Sequence, residues 1–477
     1  PLLEAAQKGI DELNARYGEQ RFFLFHRRRC WNPTQGKWMG WERKRGKLHE
    51  LNRLLRGASD TSFIVAADEL AQLGHSIRYI VTLDADTRLP RGSAIRLVGK
   101  MAHPLNRPVI DRDLCRVVEG HAILQPRVTP SLPPSRQSSL FQWAFSGPNG
   151  LDPYAFAVSD VYQDLFEQGS YVGKGIYDID AFETVLHQRI PENTVLSHDL
   201  LEGTFARAAL ASDVEVVEEF PSRYDVEARR QHRWMRGDWQ LLPWIFARGY
   251  DLVGDRKRAR IPMLARWKML DNLRRSLSAP ALLLAFLWGW TLPAPADVNW
   301  TLFVLAAIVV PPLLPLVTAI IPHRVGISRR THIRNLARDF TLAFTQILFV
   351  FTFLARAAWL SLDAIVRTVF RLFISRRHML EWMSFARSNY DRRSDLKGLA
   401  LQLAEREARR LILQARGDDV GRARIAPHHL EANVPLVQAG EIFVKALDGA
   451  VLGDPAVDEE VLLEQEARRH RLEQADV

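Results

Sequence analysis

The sequence predicts an α/β domain with a mainly parallel sheet, followed by membrane-spanning helices and a charged tail. Three observations carry that prediction. Helical and strand periodicities alternate through roughly the first 275 residues, the pattern of helix-linked strands. The apolar excess is concentrated between about 277 and 375, and both flanks are polar and Arg-rich. The length of 477 residues asks for more than one domain, since a domain takes about 100–200 residues.

Composition removes several classes. With 47% hydrophobic and 25% charged residues, wholesale disorder is excluded. The only cysteines, Cys30 and Cys115, lie in different segments with no metal-like spacing, which excludes a disulfide scaffold and a thiol-rich zinc module. The net charge of +9 suits nucleic acid, an anionic membrane surface or a phosphate-bearing substrate. Its placement decides. Arg27, Arg28 and Arg29 sit beside aromatics, and Arg43, Lys44, Arg45 and Lys47 form a second run. Arg324, Arg329, Arg330, Arg334 and Arg338 flank apolar segments, as in cytoplasmic loops of membrane proteins. No nucleic-acid module pattern appears, so a lipid bilayer is the expected partner and nucleic acid is not. The chain opens on Pro1 without a signal-peptide pattern, and a piece of a longer protein is expected.

Taken in order, Pro1 to Tyr17 has helical spacing at Leu3, Ala6, Ile10 and Leu13. Arg21 to His26 is an aromatic, strand-like run. Trp31 to Trp41 reads as loop, broken by Pro33, Gly36 and Gly40. Lys47 to Leu55 is helical. Arg78 to Leu83 is an apolar, β-branched strand ending in Asp84-Ala85-Asp86. Ligands bind at the carboxyl ends of such strands, and carboxylates at i and i+2 can share a hard divalent cation. The D-x-D pattern alone is weak. Asp111-Arg112-Asp113 and Asp178-Ile179-Asp180 are further copies, and a solvated turn is the bland reading of each. The strand before Asp84 sets that copy apart. Lys174, between Gly173 and Gly175, either touches phosphate or acceptor or sits in a surface turn. Val195 to Asp199 steps from apolar to polar into a helix at Leu200–Ala209, and Val214 to Phe220 is another strand. Arg229 to Gln240 is helical, with Arg230, Arg233 and Trp234 on neighbouring faces. Arginine pairs recognise phosphate, so this is an interfacial basic helix or a site.

The apolar region holds two expected spans. Ser276–Thr291 is uncharged and extends to Pro295. Asn299–Ile321 is long enough to cross, and its Pro311, Pro312 and Pro315 are tolerable in a membrane helix. The link between them carries Asp297 and no basic residue. Lys268, Arg274 and Arg275 precede the first span and the Arg-rich loop 322–339 follows the second, so both outer flanks are expected in the cytoplasm. The alternative is a buried hydrophobic hairpin. Phe340–Leu360 resembles a third span despite Arg356. Beyond it, Trp359, Leu362, Val366, Val369 and Phe373 share one helical face, with Arg356, Asp363, Arg367 and Arg371 on another. That is the pattern of an amphipathic interfacial helix. Arg376 and Arg377 follow, so 340–375 is either a hairpin or lies partly flat. These marks divide the chain into 1–275, a membrane region 276–378 and a cytoplasmic, largely helical tail 379–477.

At this point the motifs resemble a family. A strand ending in D-x-D, an acidic motif heading a helix, and R-W on a helix leading into membrane spans is the order of processive membrane glycosyltransferases, among them cellulose and hyaluronan synthases. The closer resemblance is to the glycosyltransferase region of cyclic β-1,2-glucan synthases, glycosyltransferase family 84. It is carried by FFLFHRRRCWNPTQGKWMGWERKRGKLHELNRLLRG at 22–57, YIVTLDADTRLPRGSAIRLVGKMAHPLNRP at 79–108 and GKGIYDIDAF at 173–182. VLSHDLLEG at 195–203, RYDVEARRQHRWMRGDWQ at 223–240 and RRHMLEW at 376–382 complete it, so that it covers about residues 1–385. Two positions depart from the wider superfamily. Arg230 stands where that superfamily has Gln, and Ser197-His198-Asp199 stands where it has Thr-Glu-Asp. The role of Arg230 stays open.

The resemblance implies a GT-A (nucleotide-diphospho-sugar transferase, Rossmann-like) domain over 1–275, in a multi-pass protein of the bacterial inner membrane with that domain in the cytoplasm. It implies UDP-glucose as donor, a growing β-glucan as acceptor, and inverting transfer. Asp86, with Asp84, would hold a divalent metal, Mg²⁺ or Mn²⁺, at the diphosphate. Arg233, with Arg230, would add positive charge there. Trp234 would lie under the acceptor sugar. Asp199 would be the general base; its alternative is a helix N-cap. GT-A domains begin with a strand that binds the nucleotide, and that strand is expected before residue 1. Another polysaccharide product, or a non-catalytic membrane fragment, are the competing readings.

Overall fold

The structure, a computed structural model, describes residues 2–18, 21–64, 77–131, 139–147, 160–246, 260–320 and 328–381. From residue 382 on, the expected helical tail lies outside the described residues. The chain forms two compact units. Among the described residues, the first holds 2–88 and the second 89–381.

The first unit runs α1 (Leu2–Tyr17), β1 (His26–Arg27), β2 (Cys30–Asn32), β3 (Lys37–Met39), α2 (Arg43–Leu55), β4 (Phe63–Ile64), β5 (Tyr79–Thr82) and β6 (Thr87–Arg88). The expected strand at 21–26 shrinks to β1, which pairs antiparallel with β4. The amides of Arg21 and Phe22 donate instead to the Asn14 side chain, at 3.1 and 2.9 Å. The aromatic rings then pack on one another, Phe23 on Phe25 and Phe25 on Phe63. The expected loop at 31–41 is a hairpin of β2 and β3, with Trp31 opposite Trp38. Pro33 and Gly36 lie in its turn. Asn32 Oδ1 closes that turn by accepting from the amides of Thr34 and Gln35, both at 3.1 Å. Such side-chain-to-backbone turns are invisible to a breaker count. The second helix begins at Arg43, ahead of the expected Lys47. Arg27, from the first basic run, is interior. Its guanidinium donates to Glu50 at 2.8 Å and to the carbonyls of Trp41 and Arg43 at 3.0 and 2.9 Å. The strand expected at 78–83 is β5, and Asp84-Ala85-Asp86 turns out of it into β6.

The second unit runs α3 (Ser93–Met101), β7 (Val109–Asp111), β8 (Arg116–Glu119), β9 (Ile123–Pro130), α4 (Leu140–Phe145), α5 (Val161–Phe166), β10 (Gly175–Asp178), α6 (Ile179–Leu186), α7 (Asp199–Phe205), β11 (Ala208–Glu218), α8 (Tyr224–Trp239), α9 (Leu242–Ile245), α10 (Met263–Gly289), α11 (Ala296–Ala319) and α12 (Arg329–Phe370). Its sheet is mixed. β9 pairs antiparallel with β10 and parallel with β11. Ile123, Ile176, Tyr177, Ile179, Leu201, Phe205 and Val214 are completely buried around it. The helix expected at 200–209 ends at Phe205. Arg207 takes a left-handed φ of 50°, which stops a helix, and the alanine-rich run that follows is the buried start of β11. The two extra D-x-D copies have local structural duties, and the one at 178–180 is not the solvated turn expected, since Asp178 is buried. Asp178 caps α6, accepting from the Ala181 amide at 3.1 Å. Asp111 accepts from the amides of Asp113 and Leu114 at 2.8 and 2.9 Å.

Among the described residues, two helices are long and apolar enough to cross a membrane, Ala296–Val317 and Arg329–Ser375. The first expected span is not one of them. Its apolar part, Ser276–Gly289, is the second half of α10 and at 1.5 Å per residue reaches about 21 Å, short of a span. The first half of α10 belongs to the domain. Lys268, expected as a flank at the membrane, is buried and donates to the carbonyls of Gln168 and Gly169 at 3.0 and 2.8 Å. In α11 the three prolines sit inside an unbroken helix. Only 11% of its apolar window is buried, which removes the buried-hairpin reading for this helix. Residues 340–375 are no hairpin either. α12 runs 42 residues without a break and continues as a π-helical turn over Arg371–Ser375. Its second half lies along α8. The Phe353 ring stacks on Tyr224 with centroids 3.7 Å apart, and Phe349 meets Phe141 edge-on. Ala358, Ser361, Ala364 and Thr368 are buried, while Trp359, Leu362, Val366 and Phe370 face outward.

Candidate active site

Asp84 and Asp86 belong to the first unit; Lys174, Asp199, Arg230, Arg233 and Trp234 belong to the second. In the first unit the turn after β5 brings a carboxylate oxygen of Asp84 within 4.8 Å of one of Asp86. Two carboxylates at that separation, half-exposed at a strand end, are a donor set that fits a hard divalent cation. Lys44, from α2, forms an ion pair with Asp84 and neutralises part of that charge.

In the second unit, Asp199 is the first residue of α7, and its side chain is 29% exposed. The N-cap is His198, which makes no side-chain capping bond. The alternative reading of Asp199 as the cap is therefore corrected. His198 is buried. Its Nδ1 lies 2.8 Å from Glu202 Oε1 and 3.7 Å from Asp199 Oδ1. The i, i+4 spacing from His198 to Glu202 is readable in the sequence.

The helix α8 presents Arg230, Arg233 and Trp234. Arg230 is buried, pairs with Glu227 at 2.8 Å, and stacks its guanidinium 4.7 Å from the centre of the Trp234 ring and 5.6 Å from that of Phe220. Its charge is matched within its own helix, and it braces the Trp234 ring. Arg233 and Trp234 are half-buried. One turn further along, Gly237 packs directly on Ser197. A Cβ at Gly237 would fall 2.5 Å from both Cβ and Oγ of Ser197. Gln240 then bonds the Leu196 amide at 2.6 Å. The loop that delivers Asp199 is thus seated on the helix that carries Arg233 and Trp234.

Lys174 is not in a surface turn. Its ammonium is buried and pairs with Glu218, at the end of β11, at 2.9 Å; both side chains are 8% exposed. Gly175 beside it has φ 134° and passes so close to β9 that a Cβ would lie 2.4 Å from the Leu124 carbonyl oxygen. Glu218 was missed in the sequence because nothing local ties it to Lys174.

No family model matches the chain. It is 50% identical over 390 residues to the cyclic beta-(1,2)-glucan synthase NdvB of Rhizobium meliloti (strain 1021). That match covers 81% of this chain and 13% of the relative's length. The resemblance carried by the motifs is borne out: over most of its length the chain is similar to one segment of a cyclic β-(1,2)-glucan synthase.

Proposed function

We propose that this chain is the glucosyl-transferring segment of a cyclic β-1,2-glucan synthase, with a GT-A-type catalytic domain on the cytoplasmic side of the bacterial inner membrane. It moves glucose from UDP-glucose to a growing β-1,2-glucan with inversion at the anomeric carbon. The observation that carries the reading is the seating of the Ser197–Asp199 loop on α8, which groups a carboxylate free of capping duty with the Arg-Trp helix.

In this reading an acceptor hydroxyl oxygen bonds to the glucose C1 as the bond from C1 to the UDP oxygen breaks. Asp199 takes the hydroxyl proton. Arg233 stabilises the charge developing on the departing diphosphate. Trp234 offers its face to the acceptor ring, and Arg230 holds that face in place. Asp84 and Asp86 would hold Mg²⁺ or Mn²⁺, which when bound supplies positive charge for the diphosphate. Lys174 supports the strand end through Glu218, and any contact with donor or acceptor is made from that anchored position.

The test supplies labelled UDP-glucose and Mg²⁺ to membranes carrying the chain and analyses the product. Label in β-1,2-linked glucan is the expected result. Label in another linkage would point to a different polysaccharide synthase. No incorporation, together with no UDP binding by calorimetry, would overturn the reading in favour of a non-catalytic segment.

A further inference from the structure

The segment Arg376–Glu381 follows the π-helical end of α12 and has no part in the mechanism above. It is nonetheless built into the same site. Arg376 and His378 both take left-handed backbone angles, φ 51° and 58°, and turn the chain back toward α8. Such angles are strained for non-glycine residues, so something must hold the turn. Arg371 Nη1 does so, donating to the His378 carbonyl at 2.8 Å and to Glu381 at 2.7 Å. Met379 and Leu380 are buried. Glu381 also accepts from Arg236 of α8 at 3.1 Å, and Arg236 donates again to the Glu381 carbonyl.

The joining piece is Gln240. It is 4% exposed, and its carboxamide is used at both ends. Its oxygen accepts from the Leu196 amide, 44 residues earlier, at 2.6 Å. Its nitrogen donates to the Met379 carbonyl, 139 residues later, at 2.8 Å. One side chain therefore ties the Asp199 loop to the segment that ends the long helix α12. Arg236, one turn before it, ties the same segment through Glu381.

We propose that Gln240 and Glu381 are positioning residues that hold the Asp199 loop and the Arg233–Trp234 helix in one register by clamping both to residues 376–381. Neither touches substrate. Because the segment continues α12, the clamp also makes the placement of Asp199 depend on where α12 sits. The proposal rests on Asp199 being the base for its kinetic consequence, but the clamp is testable without it.

Two variants of the whole chain test it, Gln240→Met, which keeps the volume and removes both hydrogen bonds, and Glu381→Ala. Hydrogen exchange is the first measurement. Each variant, Glu381→Ala included although it lies far along the chain from residue 196, should speed exchange at 196–199 about tenfold while α3 and β9 keep their protection. Turnover is the second. A displaced catalytic group costs up to about 10²-fold, so kcat should fall by at least an order of magnitude with the KM for UDP-glucose within about twofold. Gln240→Glu, which retains the acceptor for the Leu196 amide, should recover part of the loss. Unchanged exchange at 196–199 in Glu381→Ala would overturn the clamp. So would a rise spread evenly over the second unit, which is simple destabilisation. If the unaltered chain transfers no glucose, the functional reading fails and the exchange measurement still decides the clamp.

Discussion

Asp199 and Lys174 each have a structural and a chemical reading, and their surroundings set the test that separates the two. Asp199 sits inside the first turn of α7 without a capping bond, since the cap position is His198. Replacing it should cost little stability. A lost cap is worth about 1 kcal/mol, whereas general-base catalysis contributes roughly 10²–10⁴-fold. Asp199→Asn should therefore lower turnover by that range and leave the melting temperature close to that of the parent; a protein that melts early yet turns over normally would refute the base. Lys174 points the other way. Its partner Glu218 is equally enclosed, and removing one member of a buried pair strands the other at about 3–5 kcal/mol. Lys174→Met should destabilise by about that much, and adding Glu218→Gln should recover most of it. If the single variant is as stable as the parent, the pair is not structural and Lys174 returns to the list of ligand contacts.

At the scale of elements, α8 shows how one helix serves three neighbours. Its glycine is the point of closest approach to the Asp199 loop. Glycine inside a helix costs roughly 1 kcal/mol against alanine, but a methyl at 237 would overlap Ser197. Gly237→Ala should therefore lose activity in spite of its better helix propensity, read as a fall in kcat with α8 still helical by circular dichroism. The adjacent Asp238 keeps some surface but lies deep between α8 and α10, where it accepts from Asn272 at 3.1 Å. Burial pushes its carboxyl up to about 7, against the Asn272 hydrogen bond and the Arg275 charge. A carboxyl whose folded pKa is raised holds a proton that the unfolded chain releases. Its contribution is complete below the usual carboxylate range and is lost as pH rises through about 7. Asp238→Asn should thus flatten the decline in melting temperature between about pH 4 and 8, and an unchanged slope would show that Asp238 is ionised throughout. Elements with strong internal periodicity, α1, β5 and α8, were legible in the sequence. What was not legible was set by distant partners. The 22–25 run lost its strand to Asn14, the alanines at 208–211 became strand because β9 lies beside them, and the Lys174–Glu218 pair joins two strands that no spacing rule connects. For the candidate site, D-x-D, Asp199, Arg233–Trp234 and the i, i+4 spacing of His198 and Glu202 could be read locally, while Gln240 and Glu381 act through contacts that appear only in the fold.

At the scale of the whole chain, the question is which side of a membrane each end of α11 faces. The candidate span Ala296–Val317 covers 22 residues, and at 1.5 Å each that is about 33 Å, enough for the hydrocarbon core of about 30 Å. Its ends differ in charge. The link before it, 290–295, has no basic residue, while the residues after it include the exposed Arg329, Arg330 and Arg334 at the start of α12. Burial of Lys268 weakens the count before α10, but Arg274 is exposed and Arg275 is 39% exposed at the boundary of its apolar half. The bias still runs one way, with basic residues on the side that faces the cytoplasm. A cysteine at Ala296, in a background with Cys30→Ser and Cys115→Ser, should react with a membrane-impermeant thiol reagent from outside the cell. A cysteine at Thr331 should react only after the membrane is opened. Position matters for function because a nucleotide sugar is made in the cytoplasm. α8 precedes α10, so it shares a side with residue 331 only if the chain crosses twice between them, once in α11 and once through the apolar half of α10 together with residues 290–295. Labelling at 331 in intact cells would put the proposed site across the membrane from its donor, and the mechanism would fall with the topology.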